Sequence, residues 1–270
     1  MTSPLHERTG FADAMRHSTS APLALLDRDP GFYRCIGDIP TYALSVLAMH
    51  LHAQDQLHHR GLRKAAAGLF SAGRASAVLA RMQRAGLIEP LDPFESGRHR
   101  RYGPQPAMVE ALRAAYLIEL TSLSMIEPRV VDIVARWDDP AVFNRIISFL
   151  ATMHLAGPTL DKDLVEPLAG VGRRSMGLFL AYALAEAAFN AGLPRAEGTI
   201  DINRSDVSRR LGVSRTHSRR IMTLLKTAGL IADTQTADRL TLTPAFAVAY
   251  EIYFAGMFSM LMAAIIPPEQ

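Results

Sequence analysis

The tetrapeptide Ala-Gly-Leu-Ile occurs twice, at 85–88 and at 228–231, and each copy closes a helical segment that begins after a serine, Ser71 or Ser214. In both copies a hairpin-like stretch follows, then Pro104 or Pro244, then a long apolar run, Met108 to Ile126 or Ala245 to Ile266. An internal repeat of this kind restricts the chain to two versions of one supersecondary unit. The order within each is helix, helix-turn-helix, hairpin, helix, which is the winged-helix plan. The expected fold is therefore mainly α, with two winged helix-turn-helix domains in tandem, a pseudo-two-fold relation, and long apolar packing helices. Asp27–Pro30 and Asp138–Pro140 read as matching helix starts, which places the domains at 30–130 and 131–270. Residues 1–29, polar and containing Ser and Thr, are expected to form a mobile arm.

The second copy carries the chemistry. From Ser205 to Ile231 a short helix, a Gly212-Val213-Ser214 turn and a basic helix follow without a gap. Gly212 supplies a left-handed backbone, Val213 plugs the angle, and Ser214 caps the second helix. On a helical wheel Ser218, Ile221, Leu224, Leu225 and Ala228 gather inward. Arg215, Thr216, Arg219, Arg220, Thr223 and Lys226 face outward, forked and cationic, suited to phosphates and to guanine edges in a major groove. Between Arg204 and Lys226 seven Lys or Arg stand against one acid, Asp206, whereas an ordinary solvated helix mixes the signs. Leu211-Gly212-Val213-Ser214-Arg215 and the closing Gly229-Leu230-Ile231 resemble the helix-turn-helix of the catabolite-activator family. That resemblance covers about 27 residues, without that family's cyclic-nucleotide barrel. It implies that Ser214 contacts phosphate and that Arg215, Thr216 and Arg220 read bases. Thr216 stands where an acid is common in the family, so the operator is not implied. The long flanking helices resemble, in layout, those with which multiple-antibiotic-resistance (MarR) regulators dimerise.

The first copy is blanked as a reader. Ala72, Gly73 and Ala77 stand where Arg215, Thr216 and Arg220 stand in the second, and none donates a side-chain hydrogen bond. Arg74, Arg81 and Arg84 are expected on its exposed side, with Val78, Leu79 and Met82 inward. Its hairpin is richer: Arg98, Arg100 and Arg101 lie at the tip, suited to phosphates or a narrow minor groove, against only Asp238 and Arg239 in the second. Gly157 to Arg174 reads as an insertion or connection, and Met176 to Ala191 as a buried helix.

A chain of 270 residues with 49% hydrophobic side chains fills two domain cores, and its formal charge of +3 leaves any affinity for DNA to local clusters. The lone Cys35 excludes an intrachain disulfide and reads as a buried structural thiol in a reducing cytoplasm. No secretory signal is visible, and Ala245–Ile266, although near spanning length, sits where the fold needs a packing helix. His50, His52, His58 and His59 lack a metal-ligand pattern and read as surface or interface residues. Met257, Met260 and Met262 read as core filling. No phosphate loop, dinucleotide fingerprint or nucleophile elbow occurs in a supporting context, so neither an enzyme nor a cofactor is expected. The expected function is sequence-specific regulation of transcription on double-stranded DNA, without a membrane. A plasmid-type replication initiator and a winged-helix protein-interaction module stay open, as does the choice between a homodimer and one chain imitating a dimer.

Overall fold

A computed structural model of the chain describes residues 4–68, 71–92, 100–156, 162–236 and 238–266. The protein is mainly helical, with two small antiparallel sheets among the described residues. Its first long helix, α1 (Phe11–Arg28), occupies the segment expected as a mobile arm. Phe11, Ala14, Met15, Leu23 and Leu26 are buried along it, and so are the polar residues that suggested solvent. Ser18 reaches Glu119 Oε2 at 2.7 Å, and the Thr19 hydroxyl meets both Met15 O and the Tyr250 hydroxyl. A hydroxyl bonded inside a helix interface costs little to bury, so the Ser and Thr content misled as to exposure.

After α1 come α2 (Pro30–Cys35), α3 (Ile39–Ala53), α4 (His59–Ala65), α5 (Ala72–Arg84), the hairpin β1 (Ile88–Pro90) and β2 (Tyr102–Pro104), and α6 (Pro106–Ser124). A short α7 (Val131–Ala135) leads to the second pass. That pass runs α8 (Pro140–Ala156), α9 (Lys162–Gly172), α10 (Gly177–Asn190), β3 (Gly198–Asp201), α11 (Arg204–Arg210), α12 (Arg215–Thr227), β4 (Ile231–Asp233), β5 (Arg239–Leu242) and α13 (Pro244–Ile265). The helix starting at Pro140 thus has its counterpart in α1, not at Pro30, and each pass begins with a helix of similar length. The segment expected as a connection contains α9, which carries Pro167 inside it; residues 157–161 lie outside the described ones.

The passes interlock. Helix α1 packs against α6 of its own pass and α10 of the other, while α8 packs against α13 of its own pass and α3 of the other. The loops entering α3 and α10 abut: Met176 N donates to Gly37 O, and a Cβ on Gly37 would lie 2.4 Å from Met176 Sδ. The long apolar helices α6 and α13 of the two passes touch directly. Helix α1 also joins them, bonding to α6 through Ser18 and to α13 through Thr19. By length and composition α13 could cross a membrane, yet Phe246, Tyr250, Phe254, Phe258 and Leu261 are buried along it. Met257, Met260 and Met262 pack half-buried against the core, and Cys35 is buried.

Candidate nucleic-acid interface

The turn between α11 and α12 is built from its sequence. Asn203 Oδ1 accepts from Ser205 N at 3.0 Å and Asp206 N at 3.2 Å, satisfying free donors at the start of α11. Gly212 sits at φ +64°, where a side chain is strained. A Cβ there would also lie 2.3 Å from Nε of Arg34, whose α2 side chain rests on the turn. Ser214 Oγ accepts from His217 N at 3.1 Å and caps α12, and the His217 ring reaches Ser175 O at 2.8 Å. At the other end Gly229 has φ +70° and Leu230 N returns to Leu225 O at 2.9 Å. Strand β5 then pairs with both β3 and β4, and Thr243 Oγ1 donates to Gly229 O at 2.7 Å, fixing the hairpin to the end of α12.

The buried stripe of α12 is Ser218, Ile221, Met222 and Leu225. This corrects the wheel: Met222 is inward, whereas Leu224, 37% exposed, and Ala228 face out. The helix is rotated slightly about its axis so that its core stripe follows i, i+3, i+4, i+7. Arg215, Thr216, Arg219, Arg220 and Thr223 are exposed as expected, while Lys226 is only partly so because its ammonium pairs with Asp233.

Pairing sorts the seven cations of this segment. Arg204 joins Asp233 at 3.1 Å, and Arg209 joins Asp206 at 2.7 Å. Arg210 lies between Asp27 of α1 at 2.9 Å and Glu186 of α10 at 2.5 Å. Lys226 foremost, and Arg204 with it, hold the Asp233 carboxyl below its ordinary range. In the hairpin Arg239 joins Asp201 at 2.7 Å. Four of the segment's seven cations are thus paired, Arg209 with Asp206 inside the segment and the rest with acids outside it. Among the described residues, Arg215, Arg219 and Arg220 have no carboxylate within ion-pair distance, and all three lie on the outer face of α12.

The first pass repeats the frame without the chemistry. Ser71 Oγ accepts from Arg74 N at 3.3 Å, Gly86 has φ +68°, and Leu87 N returns to Met82 O at 2.9 Å. Val78, Leu79 and Met82 are buried, and Ala72, Gly73 and Ala77 are exposed. Two of the arginines expected on the outer side are tied back, Arg74 while staying exposed and Arg81 half-buried. Arg74 Nη2 reaches Asp38 Oδ1 at 3.2 Å and Arg81 Nη2 reaches Thr41 Oγ1 at 2.8 Å, so both fasten α5 to the start of α3. A buried Asp38 carboxylate without a cation would be costly, which decides where Arg74 points. Arg84 stays exposed.

The third strand of the first sheet shrinks to a bridge between His58 and Arg101. Arg100 and Arg101 lie at the base of that hairpin, and Arg98 lies outside the described residues. His58 Nδ1 accepts from Gly61 N at 2.9 Å and caps α4, His50 meets Gln54 at 3.1 Å, and His59 sets its ring edge-on to Tyr102. Not anticipated from the sequence are the exposed Arg60, Arg63 and Lys64 of α4, for which the basic run from His58 to Lys64 was the available signal. Comparison of the chain with family models, with curated proteins and with solved structures returns no match.

Proposed function

We propose that the protein is a cytoplasmic, sequence-specific regulator of transcription that binds double-stranded DNA through two winged helix-turn-helix units in tandem, the second of which reads the bases. One observation carries the reading: the only cations of the α11–α12 segment left without a carboxylate, among the described residues, are Arg215, Arg219 and Arg220, and they share the exposed face of α12 with Thr216 and Thr223. Unneutralised arginines on one face of a capped helix suit a phosphate backbone and the N7 and O6 acceptors of guanine. In this reading Arg215, Thr216 and Arg220 meet base edges, Ser214 meets a phosphate, and Lys226 with its Asp233 partner stays at the margin.

The test is selection of bound duplexes from a random pool, followed by Arg220→Ala. The variant should lose on the order of 1–3 kcal/mol on the selected site and little on random DNA. Equal loss on both would reassign Arg220 to phosphate, and failure to select any sequence would end the reading. The inequality of the two units also favours a second reading, initiation of replication at iterated origin sites. Repeated copies of the selected site at an origin would distinguish it.

A further inference from the structure

The solvent face of α4 has no part in the base-reading surface of α12. Of its residues only Leu62 is buried, while Arg60, Arg63 and Lys64 are exposed. Among the described residues none of these three has a carboxylate within ion-pair distance. Arg60 and Lys64 are four apart on the helix, Arg60 and Arg63 three apart, so like charges sit on neighbouring turns, an arrangement that destabilises an isolated helix. A nearby polyanion reverses that sign.

The surroundings extend the surface. Gln56, His58, Arg60, Gly61 and Lys64 line a cleft of about 290 Å³. The backbone is tight here: a Cβ on Gly61 would lie 2.1 Å from Gln56 O, so only glycine lets α4 start this close to the preceding turn. Tyr102 N donates to Leu57 O at 2.8 Å and His58 bridges to Arg101, which makes the start of α4 and the base of the first hairpin one surface.

The counterpart helix is the control within the chain. On α11 every cation is neutralised: Arg204 by Asp233, Arg209 by Asp206, and Arg210 by Asp27 and Glu186. The second helices show the opposite asymmetry, with α12 charged and α5 exposing Ala72, Gly73 and Ala77. In a helix-turn-helix the second helix enters the groove and the first crosses the backbone. The unit that has lost groove chemistry is therefore the one that keeps free charge on its backbone-facing helix.

We propose that α4 is a sequence-independent phosphate anchor, in which Arg60, Arg63 and Lys64 hold the backbone of the duplex whose bases α12 reads. This rests on the function proposed above. The experiment is fluorescence anisotropy with the full chain on a labelled selected duplex and a scrambled duplex, across about 50–300 mM salt. R60A/R63A/K64A should lower affinity by the same factor on both duplexes and flatten the slope of log K against log salt by up to about three. The charge-preserving R60K/R63K/K64R should keep the slope. An unchanged slope in the alanine variant overturns the anchor, as does a loss confined to the selected duplex. Equal loss in the charge-preserving variant also overturns it, because the defect is then one of folding. In each of these cases the unsubstituted chain still prefers its selected duplex; if it binds neither duplex, the proposed function itself has failed.

Discussion

Glu119 offers a quantitative test of how α1 is held against α6. It lies on α6 at the α1 interface, 9% exposed, with the Ser18 hydroxyl 2.7 Å from its Oε2. Burial pushes its carboxyl up to about 8 from 4.5, only partly opposed by the Ser18 hydrogen bond. Hydroxyls surround it: Ser18 Oγ donates to Glu119 Oε2 and lies 2.7 Å from Ser122 Oγ, and Ser122 donates to Ile118 O at 2.9 Å. The unfolded chain ionises this group at its ordinary value. Between about pH 4.5 and 8 the folded state therefore binds the extra proton, and stability falls as pH rises through that window. With folded and unfolded values of about 8 and 4.5, the loss from pH 5 to pH 9 is on the order of 4 kcal/mol. Glu119→Gln keeps the shape and removes the titration. Urea unfolding midpoints at pH 5, 7 and 9 should converge for variant and parent at low pH. They should separate in favour of the variant as pH rises. Titrating groups outside this network are common to both proteins and cancel in the difference. A parent and variant with parallel pH profiles would refute a buried, neutral Glu119.

Alanine at Arg98, Arg100 and Arg101 together should flatten the salt dependence of DNA binding by up to about three units of slope, read from anisotropy titrations. Arg210→Ala leaves Asp27 and Glu186 without their shared cation and should lower stability by roughly 1–2 kcal/mol, read by denaturant unfolding. Gly86→Ala and Gly229→Ala should each lose about 1 kcal/mol in the same assay. Both sites are left-handed with nothing within 4 Å of an added Cβ, so backbone strain alone acts. The selected DNA site should be asymmetric, one defined half beside a tolerant one, and two equally strong inverted halves bound by a single chain would contradict the unequal units.

Local chemistry was the legible part of this chain. Serine caps, left-handed glycines and the Ala-Gly-Leu-Ile closure act within a few residues, and Ser71, Ser214, Gly86, Gly212 and Gly229 all sit as their sequence context requires. What depends on residues far apart in sequence was not legible. Asp233, Asp27 and Glu186 pair with Arg204, Arg210 and Lys226, and Asp38 pairs with Arg74. Helix α1 was misread for the same reason. Its Ser18 and Thr19 look solvated until Glu119 and Tyr250, about a hundred and more than two hundred residues away, are brought beside them. Helix rotation was missed at Leu224 because a wheel fixes relative angles only, and the packing partners set the absolute one.

The interlocking of the passes gives the unequal units a physical use. Helix α1 bonds through Ser18 to α6, through Thr19 to α13 and through Asp27 to Arg210 of α11, so one element of the first pass holds the base of the second pass's paired helices. Arg34 of α2 rests against the Gly212 turn and adds to that hold. A unit tied in this way cannot drift from its neighbour. On the proposed function, docking of α12 in its groove then presents the first unit to the same duplex at a fixed offset, and its phosphate contacts become intramolecular events at high effective concentration. Contacts too weak to hold DNA alone add to affinity under that condition without any base readout. On the two proposals, Ala72, Gly73 and Ala77 on α5 are compatible with a working first unit, whose backbone contacts come from the exposed cations of α4. A symmetric dimer of identical chains has no such freedom, since any change to one reading helix changes both. One chain with two copies can keep the frame, blank one reader, and leave the charge beside it intact.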